Sequence, residues 1–270
     1  MEKIKLIFDE KFNEWAMSYP KEWYETRELF YNALELENKD EKESVKIYKR
    51  LLKKLPLSDL ESYIYYGILL KRKKRIFEGK SLISRALLLA ESSIPEKYYK
   101  NPVQINWYNH DNRPLLEAFL FAAIDCEEDG FYIKSKKLYK FILKANPNDN
   151  QGVRYLLTTL YLKQGDYNSF YQHYADNEDT GVDGEFGFIF ADFKTNKIDL
   201  ARKKLTEFSI NYPLLIKEIL KKQHAEPDSL AFRLGAESPR SSEEAYNYYQ
   251  RSDVLWKNNP EFVKFIKSIK

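Results

Sequence analysis

The residues of this chain that could do chemistry are few and scattered. Its three histidines, His110, His173 and His224, stand far apart, and its one cysteine, Cys126, is alone. No His-Glu-x-x-His or Cys-x-x-Cys spacing puts two ligands on one helix face or in one turn, and a single cysteine excludes an intramolecular disulfide. Asp176-Asn-Glu-Asp-Thr-Gly181 carries the glycine of a calcium loop at its sixth place, yet Gly187 stands where the twelfth place needs a bidentate glutamate. Phosphate-cradling glycine loops and the Gly-x-Ser-x-Gly nucleophile elbow are missing from the sequence. His110 and Asp111 next to Arg113 come nearest to an acid–base pair, but a histidine beside Trp107 and Tyr108 reads as packed or solvated. The expectation is a protein that is not an enzyme and takes no metal or cofactor.

Two stretches have the composition of a binding site. Lys71-Arg-Lys-Lys-Arg75 has the look of a phosphate patch, but it falls where a helix ends, a place that favours cations for its own reasons. Asn148 to Tyr155 gathers Asn148, Asp149, Asn150, Gln151 and Arg154 at one helix entrance. Free backbone N–H groups there could recognise a polar partner group. Equally, Asp149 or Asn150 could cap the next helix while Arg154 braces the turn.

The elements that position these residues follow from composition and period. Glycine (9) and proline (10) are scarce in 270 residues, which favours long helices joined by short turns. The clearest unit reads Phe119-x2-Ala122-Ala123-x2-Cys126-x3-Gly130, then Ser135-x3-Tyr139-x2-Ile142-x4-Pro147. This is tetratricopeptide spacing: small residues let two antiparallel helices approach, Gly130 favours a left-handed turn, and Pro147 stops the second helix. Parts of the template recur at Ser44 to Pro56, Tyr63 to Ala86, Leu157 to Gly165 and Ala201 to Pro213. Pro213 lies 66 residues beyond Pro147, two periods of roughly 34. The fold expected is all-α, a tetratricopeptide-like α-solenoid of antiparallel helix pairs spanning 1–270. It subdivides into helix pairs over 1–95, a connector over 96–113, and repeats with capping helices over 114–270. Residues Lys3 to Ser18 and Trp23 to Leu36 read as an N-terminal helix pair, Asp176 to Gly184 as a loop, Glu226 to Arg240 as irregular, and Ser242 to Lys257 and Glu261 to Ile269 as closing helices.

In such repeats the first helix of each pair lines a concave surface. Its register selects Glu117, Leu120, Ile124 and Glu127 in the clearest unit and Tyr155, Thr159 and Leu162 in the next, because residues three and four apart share a helix face. Together with Asn150 and Arg154 these are the candidate partner-binding residues, and the expected partner is a protein or peptide. Nucleic acid is the rival, with 21 tyrosines to stack on bases, but Lys plus Arg (44) is nearly cancelled by Asp plus Glu (41) and no basic stripe emerges. The longest apolar run, Ala118 to Ile124, falls far short of the roughly 20 residues that span a bilayer. No unbroken apolar core follows Met1, so the expected compartment is the cytoplasm.

Asn112-Arg-Pro-Leu-Leu-Glu-Ala118, Asn146-Pro-Asn-Asp-Asn-Gln-Gly-Val-Arg-Tyr155, Ser242-Glu-Glu-Ala-Tyr-Asn-Tyr-Tyr249 and Leu255-Trp-Lys-Asn-Asn-Pro-Glu-Phe262 carry a resemblance over residues 104–270. That stretch resembles bacterial tetratricopeptide-like proteins related to the suppressor of tumorigenicity family of animals. The resemblance implies a helical-repeat fold and no common activity.

Overall fold

The computed structural model describes residues 2–100, 102–176, 181–229, 232 and 238–268. Among these residues are fifteen α-helices and one β-hairpin, divided between two compact units, Met1–Val153 and Arg154–Lys270.

The first unit begins with a correction to the helix pair expected at its N-terminus. Strands β1 (Lys5–Asp9) and β2 (Glu14–Ser18) pair antiparallel, with Leu6 opposite Met17 and Phe8 opposite Trp15. The cause is a period of two: Ile4, Leu6, Trp15 and Met17 are buried while Lys5 and Ile7 are exposed. Asp9 turns the chain by accepting the Lys11 amide at 2.9 Å, and Asn13 sits at φ 51°. A two-stranded hairpin is marginal alone. Here the fully buried Asn112 holds it, accepting from the Met17 amide at 2.8 Å and donating to the Trp15 carbonyl at 3.2 Å.

Helices α1 (Lys21–Glu25) and α2 (Arg27–Leu36) follow, then α3 (Glu41–Lys54), α4 (Leu60–Arg72) and α5 (Ile76–Ser93). Asp40 and Asp59 cap α3 and α4 by accepting the amides of Glu43 and Ser62. Where α4 crosses α5 the backbones nearly touch. A Cβ on Gly79 would lie 2.5 Å from the Gly67 carbonyl oxygen, and one on Gly67 would lie 2.8 Å from that of Gly79. Between α5 and α7 lie the short α6 (Glu96–Lys100) and a 3-10 turn at His110–Asn112. Next come α7 (Arg113–Glu128) and α8 (Tyr132–Ala145), whose Ala122, Ala123 and Ser135 are buried and whose joining Gly130 takes φ 77°.

The second unit holds α9 (Val153–Gln164, from Arg154 onward), α10 (Tyr167–Asp176), α11 (Gly181–Lys194), α12 (Ile198–Asn211), α13 (Pro213–Leu220), α14 (Ser242–Lys257) and α15 (Pro260–Lys267). Of the expected loop over 176–184, residues 181–184 open α11, and 177–180 lie outside the described residues. The expected irregular stretch 226–240 lies partly outside them as well. Ser241 caps α14, its hydroxyl accepting the Glu244 amide at 3.1 Å. The core is aromatic: Phe186, Phe190, Trp256 and Phe262 meet edge to face, tilted or, between Trp256 and Phe262, stacked, with centroids 5.0–5.9 Å apart across α11, α14 and α15. No described helix is long and apolar enough to cross a membrane.

Candidate functional site

In the first unit one helix face combines charge, ring and aliphatic side chains at the same spacing three times over. On α2 these are Arg27, Tyr31 and Leu34; on α4, Glu61, Tyr65 and Ile68; on α7, Glu117, Phe121 and Ile124. Each triplet runs i, i+4, i+7, one face of a helix. Tyr31 is exposed and the others are half-buried, the state of a surface that is covered at its base and open above.

Side chains tie the three helices together here. The Arg27 guanidinium pairs with Glu61 and lies 4.2 Å over the Trp23 ring, 4.6 Å over Phe30 and 5.0 Å over Tyr31. The Tyr65 hydroxyl and the Glu117 carboxylate act on each other's acidity, coupling α4 to α7. The Tyr24 hydroxyl donates to Asp111 at 2.8 Å. Arg113, four residues before Glu117, is engaged by Trp107: its Nε donates to the Trp107 carbonyl at 3.1 Å and its guanidinium lies 5.2 Å over that indole. Glu117 is left with no cation within ion-pair reach among the described residues.

This arrangement changes the acidity of its groups. Burial, resisted by Arg27, lifts the Glu61 carboxyl to about 7. Burial and then the charge of Glu61 lift Glu117 to about 7, against the pull of Arg113 and Tyr65. Burial and the bond to Asp111 push Tyr24 to about 12. Two carboxyls therefore titrate near neutrality in one cluster.

The other candidate residues go to several places. Leu120 and Ile124 are half-buried on α7 beside Glu117. Glu127 instead faces its own partner helix, its Oε2 accepting from the Tyr139 hydroxyl at 3.1 Å. Asn150 is exposed, and the neighbouring Asp149, at φ 49°, accepts the Val153 amide at 2.7 Å as a cap does. In the second unit the Arg154 carbonyl accepts from Thr158 at 2.8 Å and sits 3.1 Å from His173 Nε2. Tyr155 is half-buried against Gly181. Thr159 and Leu162 are 5% and 4% exposed, so neither offers a contact surface. The Lys71–Arg75 run is largely occupied: Lys71 pairs with Asp125 and Glu128, Arg72 with Glu37, Lys73 with Glu41 and Arg75 with Glu78. Arg27, Glu61 and Tyr65 escaped the sequence reading, although the repeated i, i+4, i+7 spacing was there to be read.

These helices and their half-buried face define a mostly helical protein. The chain belongs to the family described as Transcriptional repressor TCF25, which matches residues 69–269, about three quarters of its length. No curated protein matches it. The family match takes in Glu117, Phe121 and Ile124; Arg27, Glu61 and Tyr65 precede it.

Proposed function

We propose that this protein is a non-enzymatic interaction module, a helical-repeat scaffold that docks a partner segment on the face of α2, α4 and α7. The setting follows the printed name of its family, repression of transcription, in the nucleus or the cytoplasm. The observation that carries the reading is the threefold charge–ring–aliphatic spacing on neighbouring helices. A docked segment burying the rings and Leu34, Ile68 and Ile124 gains roughly 25 cal/mol per Å² of apolar surface, and the charged ends set its register.

Nucleic-acid binding is the second reading, favoured by α8. That helix has five lysines and no acid, and Lys134, Lys137, Lys140 and Lys144 are exposed along it after exposed Phe131 and Ile133. Affinity capture from native extract at two salt concentrations, with and without nuclease, separates the two. A protein retained after nuclease and lost on Tyr65→Ala supports docking. Nucleic acid whose recovery falls steeply with salt overturns it in favour of α8.

A further inference from the structure

We propose that the docked segment carries a lysine or arginine, whose cation sits on the Glu117 carboxylate beside the Tyr65 hydroxyl. This rests on the docking reading above and names the chemistry of its occupant.

The protein already shows how this face holds a cation. On α2 and α4 the Arg27 guanidinium lies over three rings and ends on Glu61. At the matching position of α7, Glu117 has the carboxylate, with Tyr65 beside it and the rings of Tyr65 and Phe121 on the same face, but no cation among the described residues within ion-pair reach. A lysine or arginine from a partner completes the second copy of that arrangement, its aliphatic stem on the rings and its charge on the acid. Arg113 does not fill the place, since its guanidinium is held on Trp107.

The charges of the cluster favour the same occupant. Glu61 from α4 acts on Glu117 directly, and Asp59 at the α4 cap and Asp111 in the 3-10 turn act on Glu61; Arg27 from α2 and Arg113 at the start of α7 are basic. Once Glu61 and Glu117 are ionised, at pH 8, four carboxylates of the cluster stand against two guanidiniums, a field that repels phosphate and attracts cationic peptide. Two buried donors beside the cluster, the Tyr19 hydroxyl and the Trp23 indole N–H, have no hydrogen-bond partner, and Tyr19 feels the charges of Glu61, Asp111 and Asp59. A group that does not ionise until pH about 7 gives the contact a signature. A partner cation favours ionised Glu117, so binding expels a proton and affinity rises from pH 6 to pH 8.

The test is selection of a random peptide display library on the full chain at pH 8, repeated on Glu117→Gln and on Tyr65→Ala, with helix content checked by circular dichroism. The expected result is enriched peptides with apolar anchors and a lysine or arginine at one fixed position, a preference that Glu117→Gln erases. The selected peptide should bind the wild type about tenfold more tightly than it binds Glu117→Gln at pH 8, a gap that closes at pH 6. Peptides that enrich and lose binding on Tyr65→Ala but keep no fixed basic position overturn this proposal and leave the docking reading standing. Enrichment that Tyr65→Ala leaves untouched, or no enrichment at all, overturns the docking reading and this proposal with it.

Discussion

The two units pair buried charge alike, with one exception in the first. In the second, three buried carboxylates are met by side chains of the same unit. Asp183, 3% exposed, takes Arg251 through Nε at 2.8 Å and Nη2 at 2.5 Å. Asp192, 1% exposed, takes Lys204 at 2.6 Å and the Tyr171 hydroxyl at 2.8 Å. Glu218 takes Lys221 at 2.5 Å and His224 at 2.9 Å. In the first unit Asp125 takes Lys71 and Glu61 takes Arg27, but Glu117 takes no cation among the described residues. A satisfied buried pair braces a structure, because losing either partner strands a charge in low dielectric. A half-buried acid without a cation braces little and is held in a state that an outside cation improves. The lesson is to look for function where the internal pairing is incomplete.

The comparison can be broken most forcefully in the second unit. Arg251→Ala takes two charge-assisted hydrogen bonds from the buried Asp183 carboxylate and should cost about 3 kcal/mol in urea unfolding. A loss under 1 kcal/mol would mean that the pair is not a brace. Gly79→Ala comes next. Its Cβ meets the Gly67 carbonyl oxygen as well as the Lys71 side chain, and the backbone cannot swing aside, so α4 and α5 must separate, at about 2 kcal/mol. Unchanged unfolding would show that the two helices have slack.

Glu117→Gln sharpens the contrast by its sign. The carboxyl is raised to about 7 in the fold from its ordinary 4.5. Between those values the folded chain holds a proton that the unfolded chain has released, so stability falls as pH rises through the window. Glutamine cannot ionise and escapes that loss. The variant should match the wild type at pH 4.5 and exceed it by about 1 kcal/mol at pH 8, a figure discounted for screening by solvent at this half-buried site. A variant less stable than wild type at pH 8 would show Glu117 to be paired after all. The smallest effect belongs to Phe77→Ser. This ring is 91% exposed at the start of α5, and unfolding should move by less than about 0.5 kcal/mol. A larger change would place the ring in a contact.

Sequence alone determined the elements whose signals are local. The small residues, Gly130 and Pro147 mark α7 and α8 because close helix approach, a left-handed turn and a helix stop each demand particular residue types within a few positions. The same holds for the cap at Ser241 and for the face of α7 that contains Glu117, Leu120 and Ile124. Tertiary structure decided the rest. The alternation of Ile4, Leu6 and Phe8 was visible, but charges at Lys5, Asp9, Glu10 and Lys11 gave the segment the texture of an amphipathic helix. What makes it a hairpin is Asn112, nearly a hundred residues away. The cluster of Arg27, Glu61, Tyr65 and Glu117 has the same character. Its members come from three helices, and whether an acid keeps a cation depends on which helices lie side by side, which a local period does not encode.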